Sequence, residues 1–146
     1  MQGFIKYTTA ILVVISVTGC FGLFDSSADT IIGRYNVGWI DVISSRSIDM
    51  ADKDGDYGGS EIIPAYVYAV GNNKRFIVAK QHPLINRLKG KVDIKTTNYF
   101  IIDLTKENYY RQEGVLEPLK KVQFDSVCKT LNIGSIEFEM TYPDNP

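Results

Sequence analysis

Three aspartates at alternate positions form the most suggestive metal-binding pattern in the chain. In the stretch DKDGDYGGSEII, they occupy positions 1, 3 and 5 of a loop similar to an EF-hand: Asp52, Asp54 and Asp56. Position 6 should be the glycine that permits the sharp turn, but it is Tyr57, and position 12 should be a bidentate Glu, but it is Ile63. We therefore expect a solvated loop. The alternative is a small-ligand or weak calcium-binding module that uses the acidic loop 52–61.

Two further side chains could act as a base or a nucleophile. His82 is the only histidine, and Pro83 after it favours an extended backbone. Cys128 lies on the apolar face of a predicted helix, where a buried thiol behaves as a small hydrophobic side chain and is unreactive. We expect both residues to be structural, with no zinc site and no catalytic residues. An enzyme would need carboxylates or tyrosines that the fold brings together.

Aromatic and basic side chains are candidates for a contact with a partner. Tyr109, Tyr110 and Arg111 lie in a polar connection, and Tyr and Arg are enriched at the centres of protein interfaces. A group of lysines is either a solvated face or a contact for anionic lipid or a wall polymer: Lys89, Lys91 and Lys95. The formal net charge of -1 provides no overall field that would favour nucleic acid, so we expect no nucleic-acid partner.

The start of the chain has the pattern of a secretory signal. Lys6 precedes the short apolar run AILVVISV at residues 10–17, as a charged region precedes a hydrophobic one in signal peptides. A membrane-spanning helix needs about 20 apolar residues. The run is shorter than that, so residues 1–19 are predicted to be a signal peptide.

The predicted signal peptide ends in Val17-Thr18-Gly19-Cys20. These four residues resemble the lipobox of bacterial lipoproteins, which runs aliphatic, small, Gly or Ala, then Cys. The resemblance implies cleavage between Gly19 and Cys20 and a diacylglyceryl group on the Cys20 thiol, which is a strong nucleophile. No cofactor is expected besides this covalent lipid, whose two chains would hold the protein on a membrane. The alternative is a core or disulfide cysteine.

Lipidation would place the protein in the bacterial cell envelope. Phe21 stands where an Asp would indicate retention at the inner membrane in some Gram-negative bacteria, which favours the outer membrane. The resemblance also extends to about a third of the chain, because the block from NYFIIDLTKENYY to PLKKVQFDSVCKTLNI is similar to small uncharacterised bacterial lipoproteins. It implies no activity. We therefore expect a non-enzymatic envelope lipoprotein that binds another protein, as an inhibitor or immunity factor does.

The elements that would position these residues are mostly strands. After a lipidated tether at residues 20–30, a single domain is predicted at residues 31–146, rich in aromatic and β-branched residues. Runs with strand character lie at 34–43, 62–70, 75–80, 98–104 and 135–142. GNNK predicts a tight hairpin between the second and third of these. The segment QHPLINRLKGKVDIKTT is predicted to form either one helical turn or a loop that covers the sheet.

One helix is predicted in the C-terminal half. Phe124, Val127, Cys128 and Leu131 follow the spacing of an amphipathic helix, between Pro118 and Gly134. The predicted fold class is therefore α+β, with an antiparallel sheet of about five or six strands and this helix packed on one face.

Overall fold

The computed structural model describes residues 26–53, 56, 59–106, 114–116 and 118–143. Within them, ten strands form two four-stranded antiparallel sheets and a two-stranded hairpin, accompanied by one α-helix. The predicted combination of antiparallel sheet and one helix in the C-terminal half is confirmed. The predicted number of five or six strands is too low, because strands of two or three residues are too short to show an alternating pattern in the sequence.

The first sheet is an antiparallel meander in which each strand pairs with the next along the chain. Its strands are β1 (Ser26–Ile32), β2 (Tyr35–Ile40), β3 (Ser47–Met50) and β4 (Ser60–Ile63). Residues 26–30 were predicted to be tether, but they belong to β1, where Ser26 pairs with Ile40. Four of the seven β1 residues are exposed, so this edge strand lacks the apolar alternation that marks a half-buried strand.

The second sheet has the strand order β10–β5–β6–β9. Its strands are β5 (Val67–Asn72), β6 (Phe76–Gln81), β9 (Asn98–Asp103) and β10 (Met140–Thr141). The predicted hairpin is confirmed as the antiparallel pair β5–β6. Its turn is held by the Asn73 side chain, whose Oδ1 accepts the N–H groups of Arg75 at 2.8 Å and Phe76 at 2.7 Å.

Two predicted strands are divided or shortened in the structure. The run at 62–70 is split, because β4 of the first sheet ends before Pro64 and β5 of the second begins at Val67. The run at 135–142 forms a strand only in β10. Before β10, the backbone of Glu137 passes over Gly71, where a Cβ would lie 2.1 Å from the Glu137 carbonyl oxygen.

The segment QHPLINRLKGKVDIKTT, for which the sequence predicts a helical turn or a covering loop, forms a small hairpin instead. Strands β7 (Leu84–Asn86) and β8 (Lys91–Val92) pair antiparallel, and the 3-10 turn Arg87–Lys89 connects them. Neither strand is long enough to show a period of two in the sequence.

The two large sheets pack face to face, and the helix α1 (Lys121–Thr130) covers the outer face of the second. Ile77 and Ala79 of β6 belong to the core shared with the first sheet, whereas Phe76 and Val78 pack with Phe124 of α1. A sheet that is buried on both faces has strands that are apolar throughout. This explains the continuous runs FIVA and FII, and it confirms that the helix packs on one face of a sheet.

Candidate functional site

The outer face of the first sheet carries a cleft of about 710 Å³. Gly38 of β2 lies opposite Ala28 of β1, and a Cβ at Gly38 would be only 3.3 Å from the Ser27 carbonyl oxygen. Trp39 and Ile40 contribute apolar atoms to the lining. The polar lining residues are Ser26, Ser27, Asn36, Ser45, Ser47 and Asp49. The small residues Gly38 and Ala28 leave room for an extended segment of a partner, and the exposed lining is more apolar than polar.

Asp49 is the charged side chain that lines this cleft. Its carboxyl is half buried, and the Ser47 hydroxyl donates a hydrogen bond of 3.1 Å to Oδ1. Burial raises the pKa of Asp49, the Ser47 hydrogen bond lowers it, and the charge of Glu61 raises it further, so that the net direction is upward. No basic side chain of the described ranges forms an ion pair with this carboxylate.

Glu61 stands directly beside Asp49 because the two residues are register partners on β3 and β4. Like charges in cross-strand positions destabilise a sheet. A cationic group bound in the cleft would reduce this repulsion, so the pair favours a ligand with a positive charge. The alternation of Ser47 and Asp49 with the buried Ile48 and Met50 was the sequence signal that could have identified this face.

Asn36 connects the cleft to the acidic loop. The Thr30 hydroxyl donates to Asn36 Oδ1 at 3.0 Å, and Asn36 Nδ2 donates at 3.2 Å to the carbonyl oxygens of Arg34 and Asp56. The Arg34 guanidinium donates to the Asp52 carbonyl oxygen at 3.3 Å. These bonds therefore hold the described part of the loop through its main-chain carbonyl groups.

The structure describes only part of the acidic loop. Asp52 and Asp56 are exposed, Asp54 lies outside the described residues, and Glu61 belongs to β4. Over the described ranges, no group of three or more His, Cys, Asp or Glu side chains is placed to hold a metal ion. The calcium hypothesis thus stays a prediction with no geometry to support it.

A stack of rings with a buried cation lies at the end of the sandwich where β3 and β5 begin. The Arg46 side chain is 1% exposed, and its guanidinium carbon lies 4.7 Å from the ring centre of Tyr66 and 4.6 Å from that of Tyr142. His82 continues the stack, with its ring centre 4.4 Å from that of Tyr68. Since His82 Nδ1 lies 2.6 Å from the Thr96 carbonyl oxygen, the ring is both packed and hydrogen-bonded.

The remaining predicted site residues fall on separate surfaces. Cys128 is half buried on α1, and burial raises the pKa of its thiol, which disfavours the reactive thiolate. The lysines at 89, 91 and 95 are exposed on and beside the β7–β8 hairpin. The following candidates lie outside the described residues: Gly19, Cys20, Tyr109, Tyr110 and Arg111. Among the described helices, none has the length and apolar character to cross a bilayer.

Comparison with known proteins identifies one family. The sequence model of a family described as "Protein of unknown function (DUF3997)" matches residues 34–142. The match therefore covers β2 to β10 and leaves β1 and the proposed signal outside. No curated protein and no solved structure matches the chain.

Proposed function

This chain belongs to the DUF3997 family of proteins of unknown function, and we propose that it is a membrane-anchored lipoprotein of the bacterial cell envelope that binds another protein. Cys20 would carry the lipid, and the cleft on the first sheet would be the binding site. The role is that of a non-enzymatic binding module of the inhibitor or immunity type. In a Gram-negative cell, Phe21 favours the outer membrane.

The lipobox residues 17–20 support the anchor, and the position of β1 adds a spatial argument. Only residues 21–25 lie between Cys20 and the first residue of β1, Ser26. At a maximum of about 3.6 Å per residue, the chain from Cys20 to Ser26 spans at most about 22 Å. Ser26 itself lines the cleft, so the proposed binding site would face a partner close to the membrane.

The observation that carries the binding proposal is the half-buried carboxylate of Asp49, which lies in the cleft opposite Glu61. Retaining two neighbouring carboxylates costs stability, and such a cost is typical of a position kept for binding. A lysine or arginine from a partner would pair with Asp49 in a partly desolvated site. The exposed hydroxyls of Ser26 and Ser27 would meet polar groups of the same segment, whereas the buried Asn36 is already hydrogen-bonded within the fold.

Mass spectrometry tests the anchor. The intact protein is extracted from membranes and compared with the Cys20→Ser variant. We expect the wild-type mass to lack residues 1–19 and to include an acyl adduct, and the variant to show neither change. A wild-type product that keeps its signal, or that lacks an adduct, would contradict the proposed lipidation.

Site-specific crosslinking tests the cleft. A photoreactive amino acid at Ala28, which lines the cleft, should crosslink a discrete envelope protein in cells, and Asp49→Lys should abolish that crosslink. The matched control is Asp125→Lys, because Asp125 is an exposed acidic residue on α1. Crosslinking that is equal in all three proteins, or absent from the wild type, would refute the cleft as the binding site.

A further inference from the structure

We infer that the end of the sandwich where β1 begins lies against the lipid surface, and that three exposed apolar side chains enter the bilayer interface there. These residues, here called the apolar tip, are Ile40, Val42 and Leu88. The inference rests on the proposed lipid anchor, and it adds an orientation and a second contact with the membrane. The occupant of the tip is lipid; Ile40 also lines the cleft, so the tip adjoins the proposed protein-binding site at this residue.

The tip is formed by two parts of the fold that adjoin each other. Ile40 ends β2, where it pairs with Ser26, and its N–H donates to the Ser45 hydroxyl at 3.1 Å. The β7–β8 hairpin lies beside this turn, because a Cβ at Gly90 would be 2.9 Å from the Ser44 hydroxyl oxygen. Val42 and Leu88 line one depression of about 460 Å³ between the two parts.

The exposure of these side chains is high for their type. Ile40 is 67% exposed, Val42 is 55% exposed and Leu88 is 99% exposed. Single apolar residues on a surface are ordinary, whereas a group of them marks a site of contact. Leu88 projects from the 3-10 turn Arg87–Lys89, which presents it as a short apolar protrusion. Transfer of one such side chain from water to an apolar phase favours binding by about tenfold or more.

The covalent connection places this end of the molecule near the membrane. Ser26 is the register partner of Ile40, so the chain enters the domain directly beside the tip. The span of at most about 22 Å from Cys20 keeps Ile40 within reach of the bilayer surface. Once the lipid on Cys20 is in the bilayer, contact of the tip with the same bilayer is intramolecular. The short connection gives the tip a high effective concentration at the membrane surface.

The charges around the tip determine whether binding depends on the charge of the lipid headgroups. Lys89 and Lys91 are exposed on the hairpin, but Asp41 lies between the two apolar residues of the β2 turn, and Glu61 lines the same depression as Val42. The basic residue Arg87 belongs to the same 3-10 turn as Leu88, so three basic residues stand against two acidic ones. We therefore expect the apolar side chains to drive insertion on neutral as well as anionic lipid, with a small additional preference for anionic lipid that salt screens.

A fluorescent label at the tip tests the inference. The full chain is produced with Leu88→Cys in a Cys128→Ser background, purified from membranes, labelled with an environment-sensitive dye and reconstituted into vesicles. One vesicle set contains phosphatidylcholine alone and the other contains added phosphatidylglycerol. The matched control is Lys74→Cys, an exposed residue in the β5–β6 turn at the opposite end of β6.

We expect the label at residue 88 to shift to shorter wavelength in both vesicle sets and to be quenched by a spin-labelled lipid, and the label at residue 74 to do neither. Equal, water-like emission at both positions would overturn the inference. The proposed anchor would still stand in that case if mass spectrometry shows the acyl adduct. A blue shift at residue 88 without quenching by lipid would mean that protein covers the tip, which also overturns it. If the mass shows no lipid, the anchor and the orientation fail together.

Discussion

The guanidinium carbon of Arg46 lies 4.7 Å from the centre of the Tyr66 ring, and both side chains donate a hydrogen bond to the carbonyl oxygen of Pro143. Arg46 also donates to the Val67 carbonyl oxygen. These contacts join β3, β5 and the segment after β10, which come from distant parts of the chain. A desolvated cation over an aromatic ring contributes about 2 kcal/mol, so this pair is a substantial support of the fold.

Replacement of Arg46 should destabilise the domain strongly. Arg46→Met keeps the apolar stem but leaves the Val67 carbonyl without its donor, and we expect a loss of about 3 kcal/mol in the free energy of unfolding. Arg46→Lys should also cost more than about 1 kcal/mol, because an ammonium group cannot stack between two rings. Urea unfolding measures both, with the exposed Lys74→Met as the control. Loss within about 0.5 kcal/mol of that control would contradict this role.

Asp103 should make stability depend on pH. Burial acts to raise the pKa of Asp103, but hydrogen bonds from Arg75 and Thr105 outweigh it and hold that pKa below its usual value of 3.8. The folded state therefore favours the carboxylate, and its contribution is present above pH 3.8 and lost as the pH falls through the lowered pKa. We expect Asp103→Asn to lose about 2 kcal/mol at pH 7 and less at pH 3.

Urea titrations at the two pH values measure this difference. The matched control is Asp125→Asn, which removes the exposed ion pair with Lys121 and should cost at most about 0.5 kcal/mol. A loss for Asp103→Asn that is the same at pH 7 and pH 3 would show that packing, rather than charge, explains the effect.

Asp49 should show the opposite behaviour. Its pKa is raised in the folded state, so the ionised carboxyl costs stability above that raised pKa, and the cost disappears as the pH falls below the unfolded value. We expect Asp49→Asn to gain about 0.5 kcal/mol at pH 7 and little at pH 3, because Asn can still accept the hydrogen bond from Ser47. The same variant should weaken binding in the cleft. A loss of stability at pH 7 would argue against this cost, which comes first from burial of the carboxylate and then from the charge of Glu61.

Gly71→Ala tests how the segment before β10 packs. A Cβ at Gly71 would lie 2.1 Å from a backbone oxygen and 2.9 Å from Ile136 Cγ2, so the backbone of that segment must move. We expect a loss of more than about 2 kcal/mol in thermal or urea unfolding. Gly134→Ala is the control, because its Cβ would meet nothing within 4 Å, although its φ of +73° adds a cost of about 1 kcal/mol. Equal losses would mean that Glu137 does not pass over Gly71.

The predictable parts of the fold are those whose periodicity is local. The helix was predicted from Phe124 and the residues spaced after it, and the hairpin from GNNK, because both patterns depend on residues close in the chain. The sequence does not show that the run at 62–70 contains two strands. Ile63 and Val67 belong to different sheets, and their pairing partners lie far away in the chain. β1 was missed because an exposed edge strand carries few apolar residues.

The candidate site was less predictable than the fold. The three aspartates of the acidic loop are close together in the sequence, whereas the cleft depends on the pairing of Asp49 with Glu61 across two strands. Their separation in sequence hides that pairing. Arg46 likewise stands in a polar stretch, and its burial depends on Tyr142 from the far end of the chain.

The double burial of the second sheet has a consequence for backbone opening. β6 has a strand on each side, the first sheet on one face and helix α1 on the other. Its amide hydrogens can reach solvent only when the whole domain opens, whereas those of β1 become accessible by fraying at an edge. Deuterium should therefore replace the amide protons of Ile77 and Val78 last, at a rate that reports the global equilibrium.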